Sequence, residues 1–308
     1  MTADVKYDRV AIIGMGLIGS SIARALRELG AADEIHAYDQ HALHLEKALA
    51  LGLIDAAAQS LASAVSAASL VVIATPVGVA AAHALDASTL APPDGVVIDV
   101  GSVKGPILEA ARRADPNGGS IVPCHPIAGT EQSGPEAGFA SLFRGRWCVI
   151  TPLDRPDDKY RQAVERATAF WRLLGSEVEV MDAGHHDLAL AATSHLPHLI
   201  AFTMMGAVDD LESVAEAEVV KYSAGGFRDF TRIAASNPVM WRDVFLTNKE
   251  AVLEVLGRFT EELALLQRAI RWGDAETLEK SFARGRALRR AIVDAGQEKD
   301  VPNFGRDD

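Results

Sequence analysis

The chain has only two cysteines in 308 residues, Cys124 and Cys148. That excludes a disulfide framework and any cysteine-based metal spacing. Both lie in apolar runs, so reduced core thiols are expected. Basic blocks are also missing: 30 Lys and Arg stand against 42 Asp and Glu, a formal net charge of −12. This excess of acid argues against nucleic acid and anionic membrane surfaces as partners. Met1 to Asp8 holds no apolar signal-peptide core. One stretch, Ala56 to Leu85, carries no Asp, Glu, Lys or Arg and is long enough to raise the question of a membrane span. Gln59, Ser60, Ser63, Ser66, Ser69 and Pro76 interrupt it. Leu70–Ala74 reads instead as one buried parallel strand between Ala-rich helices. The expectation is a cytoplasmic protein. Its length suggests two domains, and an apolar content of 49% is ample for their cores.

What is present begins with a glycine turn. An apolar run, Val10–Ile13, meets Gly14-Met15-Gly16-Leu17-Ile18-Gly19 and leaves as an amphipathic helix. A second apolar run, Ile35–Tyr38, ends at Asp39, twenty residues after Gly19. In such a unit the first glycine makes the turn and the second lets a pyrophosphate approach the backbone. The third packs helix on strand, and the acid reaches a ribose. The free N–H groups of the helix start, with its dipole, then face the diphosphate. Asp39 would repel a 2′-phosphate, and Gln40 and His41 follow it rather than arginine. NAD is therefore favoured over NADP. Asp39 can also cap the following helix.

The first half alternates short apolar runs with helical patterns. Strands are expected at Val10–Ile13, Ile35–Tyr38, Leu70–Ala74, Val96–Val100, Ser120–Pro123, Trp147–Thr151 and Glu177–Met181. Helices are expected near Leu17–Leu29, His41–Leu51, Leu61–Ala67, Val79–Leu85, Lys104–Arg113 and Asp158–Leu174. This rhythm implies an α/β fold with an open parallel sheet and helices on both faces. Ligands bind such sheets at the carboxyl ends of strands, which puts Thr75, Pro76, Gly101 and Ser102 on the cofactor side. After Asp182 the strand signal stops. Helical periodicity runs through Asp187–Val208, Leu211–Ala217, Pro238–Gly257 and Arg258–Asp294, so the boundary falls at Asp182 to Gly184.

Three clusters carry chemistry. Cys124–Glu131 follows a strand and reads as a loop, with His125 held by Pro126; a histidine there suits a general base. Ser194-His195-Leu196-Pro197-His198 lies in a helical stretch. Its proline deforms the helix and can aim a histidine into a cleft. Gly225–Arg232 reads as a glycine loop whose Arg232 can bind a carboxylate bidentately; the alternative is a structural pair of Arg228 or Arg232 with Asp229. Asn237 caps the next helix, where Trp241 either walls a pocket or fills the core. His195 and His198 lack a third ligand, so no metal is expected. His185 and His186, beside Asp187 at a helix start, read as capping and surface residues.

Together the stretches Gly14–Ser21, Ala74–Val77, Asp99–Lys104, His125–Glu131, Ser194–His198, Gly225–Arg232 and Asn237–Trp241 resemble the prephenate/arogenate (cyclohexadienyl) dehydrogenase family of tyrosine biosynthesis. The resemblance implies a Rossmann-type domain, doubly wound with a mostly parallel sheet, over residues 1–182. An all-α substrate and dimerisation domain over residues 183–308 would follow, giving a homodimer. It implies NAD-dependent oxidative decarboxylation of prephenate or arogenate, with His125 accepting the ring hydroxyl proton and Ser102 orienting it beside the nicotinamide. His195, Arg232, Thr130, Glu131 and Trp241 would surround the substrate, and Gly14, Gly16, Leu17, Ile18, Gly19, Asp39, Thr75, Pro76, Gly101 and Ser102 the cofactor. Two other readings share the first motif: another two-domain dehydrogenase or imine reductase acting on a β-hydroxyacid or cyclic imine, and a non-catalytic NAD-binding protein. Neither requires His125, His195 and Arg232 together.

Overall fold

The computed structural model of the chain describes residues 6–114, 120–130, 132–154, 157–210 and 224–294. The expected helix Leu211–Ala217 and the candidate residue Glu131 lie outside them. Six strands form a parallel sheet: β1 Tyr7–Ile13, β2 Ala32–Tyr38, β3 Ala56–Ala57, β4 Leu70–Ile73, β5 Val96–Asp99 and β6 Ile121–Val122, in the order β3-β2-β1-β4-β5-β6. The strands are short and apolar because both faces are covered. Val10, Ile12, Ile13, Val71, Val72, Ile73, Val97 and Ile98 are all sealed from solvent. The helices that cover them are α1 Leu17–Leu29, α2 Ala42–Ala50, α3 Leu61–Val65, α4 Val77–Leu90, α5 Gly105–Ala114 and α6 Asp158–Leu173.

The expected single sheet is in fact two. Pro123 has no N–H to continue pairing, and after it the chain leaves the large sheet. It enters a second, three-stranded sheet made of β7 Cys124–Pro126, β8 Trp147–Ile150 and β9 Glu177–Val180. There β7 runs antiparallel to β8, and β8 runs parallel to β9. His125 therefore lies on a strand opposite Val149 and not on a loop.

After Val180 the described residues are helical. Asp182 caps α7, Ala183–Leu190, by accepting from the His185 N–H at 3.0 Å. A π-helical turn, Ala191–His195, joins it to α8, Leu196–Asp209. Pro197 cannot donate a hydrogen bond, and the widened turn before it absorbs the defect. Gly225–Thr231 forms a short helix, α9, where a loop was expected. The expected helix Pro238–Gly257 breaks at Asn248 into α10, Pro238–Thr247, and α11, Lys249–Trp272. Gly273, at φ 65°, ends α11 before α12, Ala275–Asp294. The helical part meets the sheet through α10, whose Trp241 and Val244 form a small core with Val103 and Val77. Ala183–Asp209 is apolar and long enough to cross a membrane by composition alone. It also carries His186, Asp187 and His195, which build the site.

Candidate active site

The glycine turn has the three features its spacing implies. Gly14 sits at φ 100°, and a Cβ there would lie 2.5 Å from the Ala74 carbonyl oxygen. A Cβ on Gly19 would lie 2.0 Å from the Gly14 oxygen and 3.1 Å from Ile12 Cγ2. Gly16 has nothing within 4 Å of its Cβ position, so the backbone there is open to a ligand. Gly16 is also the N-cap of α1 and offers no side-chain cap; no acid occupies the first turn. The partly exposed Leu17 and Ile18 follow it. The bare start of α1 fits a diphosphate. Asp39 accepts from the Met15 N–H through Oδ2 and from the His41 N–H through Oδ1, both at 2.8 Å. It thus braces the turn and the start of α2, and a carboxylate with about four lone-pair sites keeps capacity for a ribose hydroxyl. Thr75 and Pro76 follow β4 at the same edge of the sheet, beside Gly14.

At the end of β5, Asp99 and Lys104 are both fully buried and paired at 2.5 Å. A buried pair survives only when its remaining donors and acceptors are used. Asp99 also accepts from the N–H groups of Gly101 and Cys124, and the Lys104 ammonium donates to the Cys124 carbonyl at 2.6 Å. The loop holding Gly101 and the part-exposed Ser102 is thereby locked to β7, which carries His125.

His125 is buried, and its Nδ1 lies 2.9 Å from His186 Nε2. The Nδ1 of His186 lies 2.8 Å from Asp187 Oδ1. Asp187 in turn accepts from the backbone N–H groups of Lys104 and Gly105, at 2.8 and 2.9 Å. Those N–H groups open α5, and the helix dipole favours a carboxylate there. The network assigns every ring proton. An ionised Asp187 only accepts, so His186 Nδ1 donates to it and His186 Nε2 must accept. His125 Nδ1 then donates, and His125 Nε2 carries a bare lone pair. Burial, followed by the neighbouring His186 and Lys104, holds the His125 pKa well below the ordinary histidine value. The ring is uncharged at rest.

His186 therefore corrects the sequence reading. His185 is exposed, but His186 is fully buried and Asp187 nearly so. A signal was present: Asp187, His195 and His198 recur near helical spacing in an otherwise apolar stretch. His195 is also buried, and its Nδ1 meets Asn248 Nδ2 at 3.1 Å. Its pKa is lowered to about 4, chiefly by burial. Trp241 stacks on His198, with ring centroids 3.7 Å apart, and stands edge-on to His195 at 6.0 Å. Trp241 thus both packs the core and borders the histidines. Arg232 is exposed, close enough to His198 to lower its pKa after burial has done so. It lines an open cleft of about 890 Å³ with Phe202, Met205, Arg228 and Asp229. His125 and His195 are not on that cleft's wall. Thr130 is partly exposed, and its hydroxyl accepts from the Gln132 N–H. Among the described residues no three His, Cys, Asp or Glu side chains gather as metal ligands. Cys124 and Cys148 are free and buried.

A parallel sheet with an open glycine turn, joined through α10 to helices bearing a second histidine, defines a two-domain dehydrogenase that uses a dinucleotide. The comparisons with known proteins make the assignment specific. The sequence matches the family descriptions "Prephenate dehydrogenase, nucleotide-binding domain" over residues 22–180 and "Prephenate dehydrogenase, dimerization domain" over residues 182–284. The chain belongs to the prephenate dehydrogenase family. It is 38% identical over 289 residues to the cyclohexadienyl dehydrogenase of Zymomonas mobilis, covering 93% of this chain and 96% of that one. It is 32% identical over 298 residues to the prephenate dehydrogenase of Bacillus subtilis, covering 96% and 79%. The crystal structure of Aquifex aeolicus prephenate dehydrogenase in complex with hydroxyphenyl propionate and NAD+ superposes with a TM-score of 0.81 at 33% identity, covering 93% of this chain and 98% of that one.

Proposed function

We propose that the chain catalyses the NAD-dependent oxidative decarboxylation of prephenate or arogenate, to 4-hydroxyphenylpyruvate or tyrosine, in the tyrosine pathway of the cytoplasm. Residues 1–182 hold the nucleotide, and residues 183–308 supply substrate contacts and pair two copies into a homodimer. Exposed Leu263, Ile270, Trp272, Phe282 and Leu288 on α11 and α12 are the apolar surface that a second copy would cover. The observation that carries the reading is the His125–His186–Asp187 relay, which leaves His125 neutral with Nε2 free to accept a proton.

NAD, when bound, supplies the acceptor for the hydride of the hydroxyl-bearing ring carbon. Gly14, Gly16 and Gly19 shape its diphosphate cradle, and Asp39 takes the ribose. His125 Nε2 takes the hydroxyl proton as that hydride departs. The positive charge formed on His125 is spread through His186 toward Asp187, whose own charge is held by the start of α5. Loss of the ring carboxylate as carbon dioxide leaves an aromatic phenolate, and the protonated His125 returns its proton to that oxygen, which gives the phenol and restores the neutral ring. The protein's work is orientation, exclusion of water and proton acceptance; a general base contributes ~10²–10⁴ in rate. Ser102 lies on the locked loop between the two, and Arg232 meets a substrate carboxylate. The test follows NADH absorbance with prephenate, arogenate and a panel of β-hydroxyacids and cyclic imines. Turnover of the first two and silence with the panel are expected. Turnover confined to the panel, or none at all with NAD bound, overturns the reading.

A further inference from the structure

We propose that Asn248 is a positioning residue for this reaction: its carboxamide fixes His195 as a neutral hydrogen-bond donor and clamps that ring to the His125 relay. The inference rests on the reaction assigned above.

Asn248 stands between two helices. Its N–H closes α10 on the Val244 carbonyl, and its own carbonyl accepts from the Val252 N–H of α11. An asparagine at such a helix start ordinarily turns its side chain back onto the next N–H groups. Here it makes no cap bond and is 5% exposed. The side chain is turned inward, and Nδ2 lies 2.8 Å from the Asp187 carbonyl oxygen and 3.1 Å from His195 Nδ1. A backbone carbonyl only accepts, so the group facing it is the amide nitrogen. The second hydrogen of that nitrogen goes to His195 Nδ1, which must accept. A neutral imidazole has one N–H, and it is left on Nε2. His195 Nε2 is buried and has no partner among the described residues. A buried orphan donor is costly, and a ligand acceptor there would relieve it. The charged and titratable neighbours of His195 include Asp187, His186, His198 and His125; burial, joined by His186 and His198, outweighs Asp187 and keeps the ring uncharged.

Two consequences follow. The substrate atom that docks on His195 is an acceptor, such as a keto oxygen or carboxylate, and not an ammonium. The same amide also holds the backbone of Asp187, whose carboxylate ends the His125 relay. One side chain therefore sets the distance between the donor arm and the base arm.

The test is the ring-proton state of His195 in the full chain, read by NMR with ¹⁵N-labelled histidine and assigned by comparison with H195Q. The expected wild-type state is Nδ1 bare and Nε2 protonated at neutral pH, with and without NAD. In Asn248→Asp a carboxylate replaces the donor, so His195 Nδ1 should gain a proton and the resonance should change state. kcat/KM should fall about tenfold or more, the loss of one buried hydrogen bond, while the Kd for NAD stays within about twofold. A wild-type ring protonated on Nδ1 overturns the proposal, as does an unchanged ring in Asn248→Asp. Should that variant fail to fold, the wild-type spectrum still decides. The spectrum needs no turnover, so its failure is distinct from failure of the assigned reaction.

Discussion

Replacing His186 by leucine removes the acceptor for His125 Nδ1–H while keeping an apolar side chain of similar bulk in a fully buried position. The carboxylate behind it stays held, because Asp187 also accepts from the N–H groups of Lys104 and Gly105. The damage therefore centres on the His125 ring. With His186 the base-competent tautomer, Nδ1–H with Nε2 bare, is enforced at a bond length of 2.9 Å. Without it, that tautomer leaves a buried N–H unpaired, at a cost of about 1–3 kcal/mol. The competent population then drops roughly 5- to 150-fold, and kcat drops with it. Loss of the path that spreads the imidazolium charge adds to this. Asn or Leu at His125 would not separate tautomer from base, whereas His186→Gln can: its carbonyl oxygen accepts from His125 and should restore much of the rate. The assay is steady-state NADH formation, with NAD affinity and Tm as controls. If His186→Leu folds, binds NAD and turns over within about twofold of wild type, the relay has no part in catalysis and the reasoning fails.

His125→Asn should bind NAD as wild type does but lose ~10²–10⁴ in kcat, measured in the same assay; near-normal turnover removes His125 as the base. Gly19→Ala meets the Gly14 carbonyl at 2.0 Å, so both Tm and NAD affinity should fall, whereas Gly16→Ala meets nothing within 4 Å and should keep its Tm while weakening NAD alone; equal Tm losses would contradict the open cradle. Because burial lowers the His125 pKa well below its ordinary value, kcat should not break near the usual histidine midpoint as pH falls; a limb there would mean that the base is solvated. For stability, His195 titrates at about 4 in the fold and at about 6.5 when unfolded. Between those values the unfolded chain binds more protons, so stability falls as pH falls through the window, by on the order of 3 kcal/mol. His195→Gln should flatten that part of the dependence in denaturant titrations at stepped pH.

Much of the sheet was legible because its strands are short apolar runs buried on both faces, punctuated by glycine and by helix starts. Helix α1 was bounded by its glycines and apolar stripe, Leu17–Leu29, as observed. The departures have local causes. The chain leaves the first sheet at Pro123, but nothing in the residues around it says that a second sheet waits for Cys124–Pro126. The glycine pair Gly225-Gly226 suggested a loop, yet the segment is helical, as glycine permits but does not favour. The break at Asn248 was hidden because asparagine is only a mild helix disfavourer, and the apolar pattern continues across it.

The sequence by itself determined the nucleotide half: the turn of Gly14, Gly16 and Gly19, the acid at Asp39 and the alternation that builds the parallel sheet all act through neighbours in the chain. It also marked His125, His195 and Arg232 as polar residues in segments punctuated by proline or glycine. Only the tertiary structure decided the surroundings of His125. His186 lies 61 residues away and Lys104 lies 83 residues from Asp187, and no local pattern encodes a hydrogen bond across such separations. A tautomer depends on which partner stands at each ring nitrogen, and those partners meet only once the helices close over the sheet.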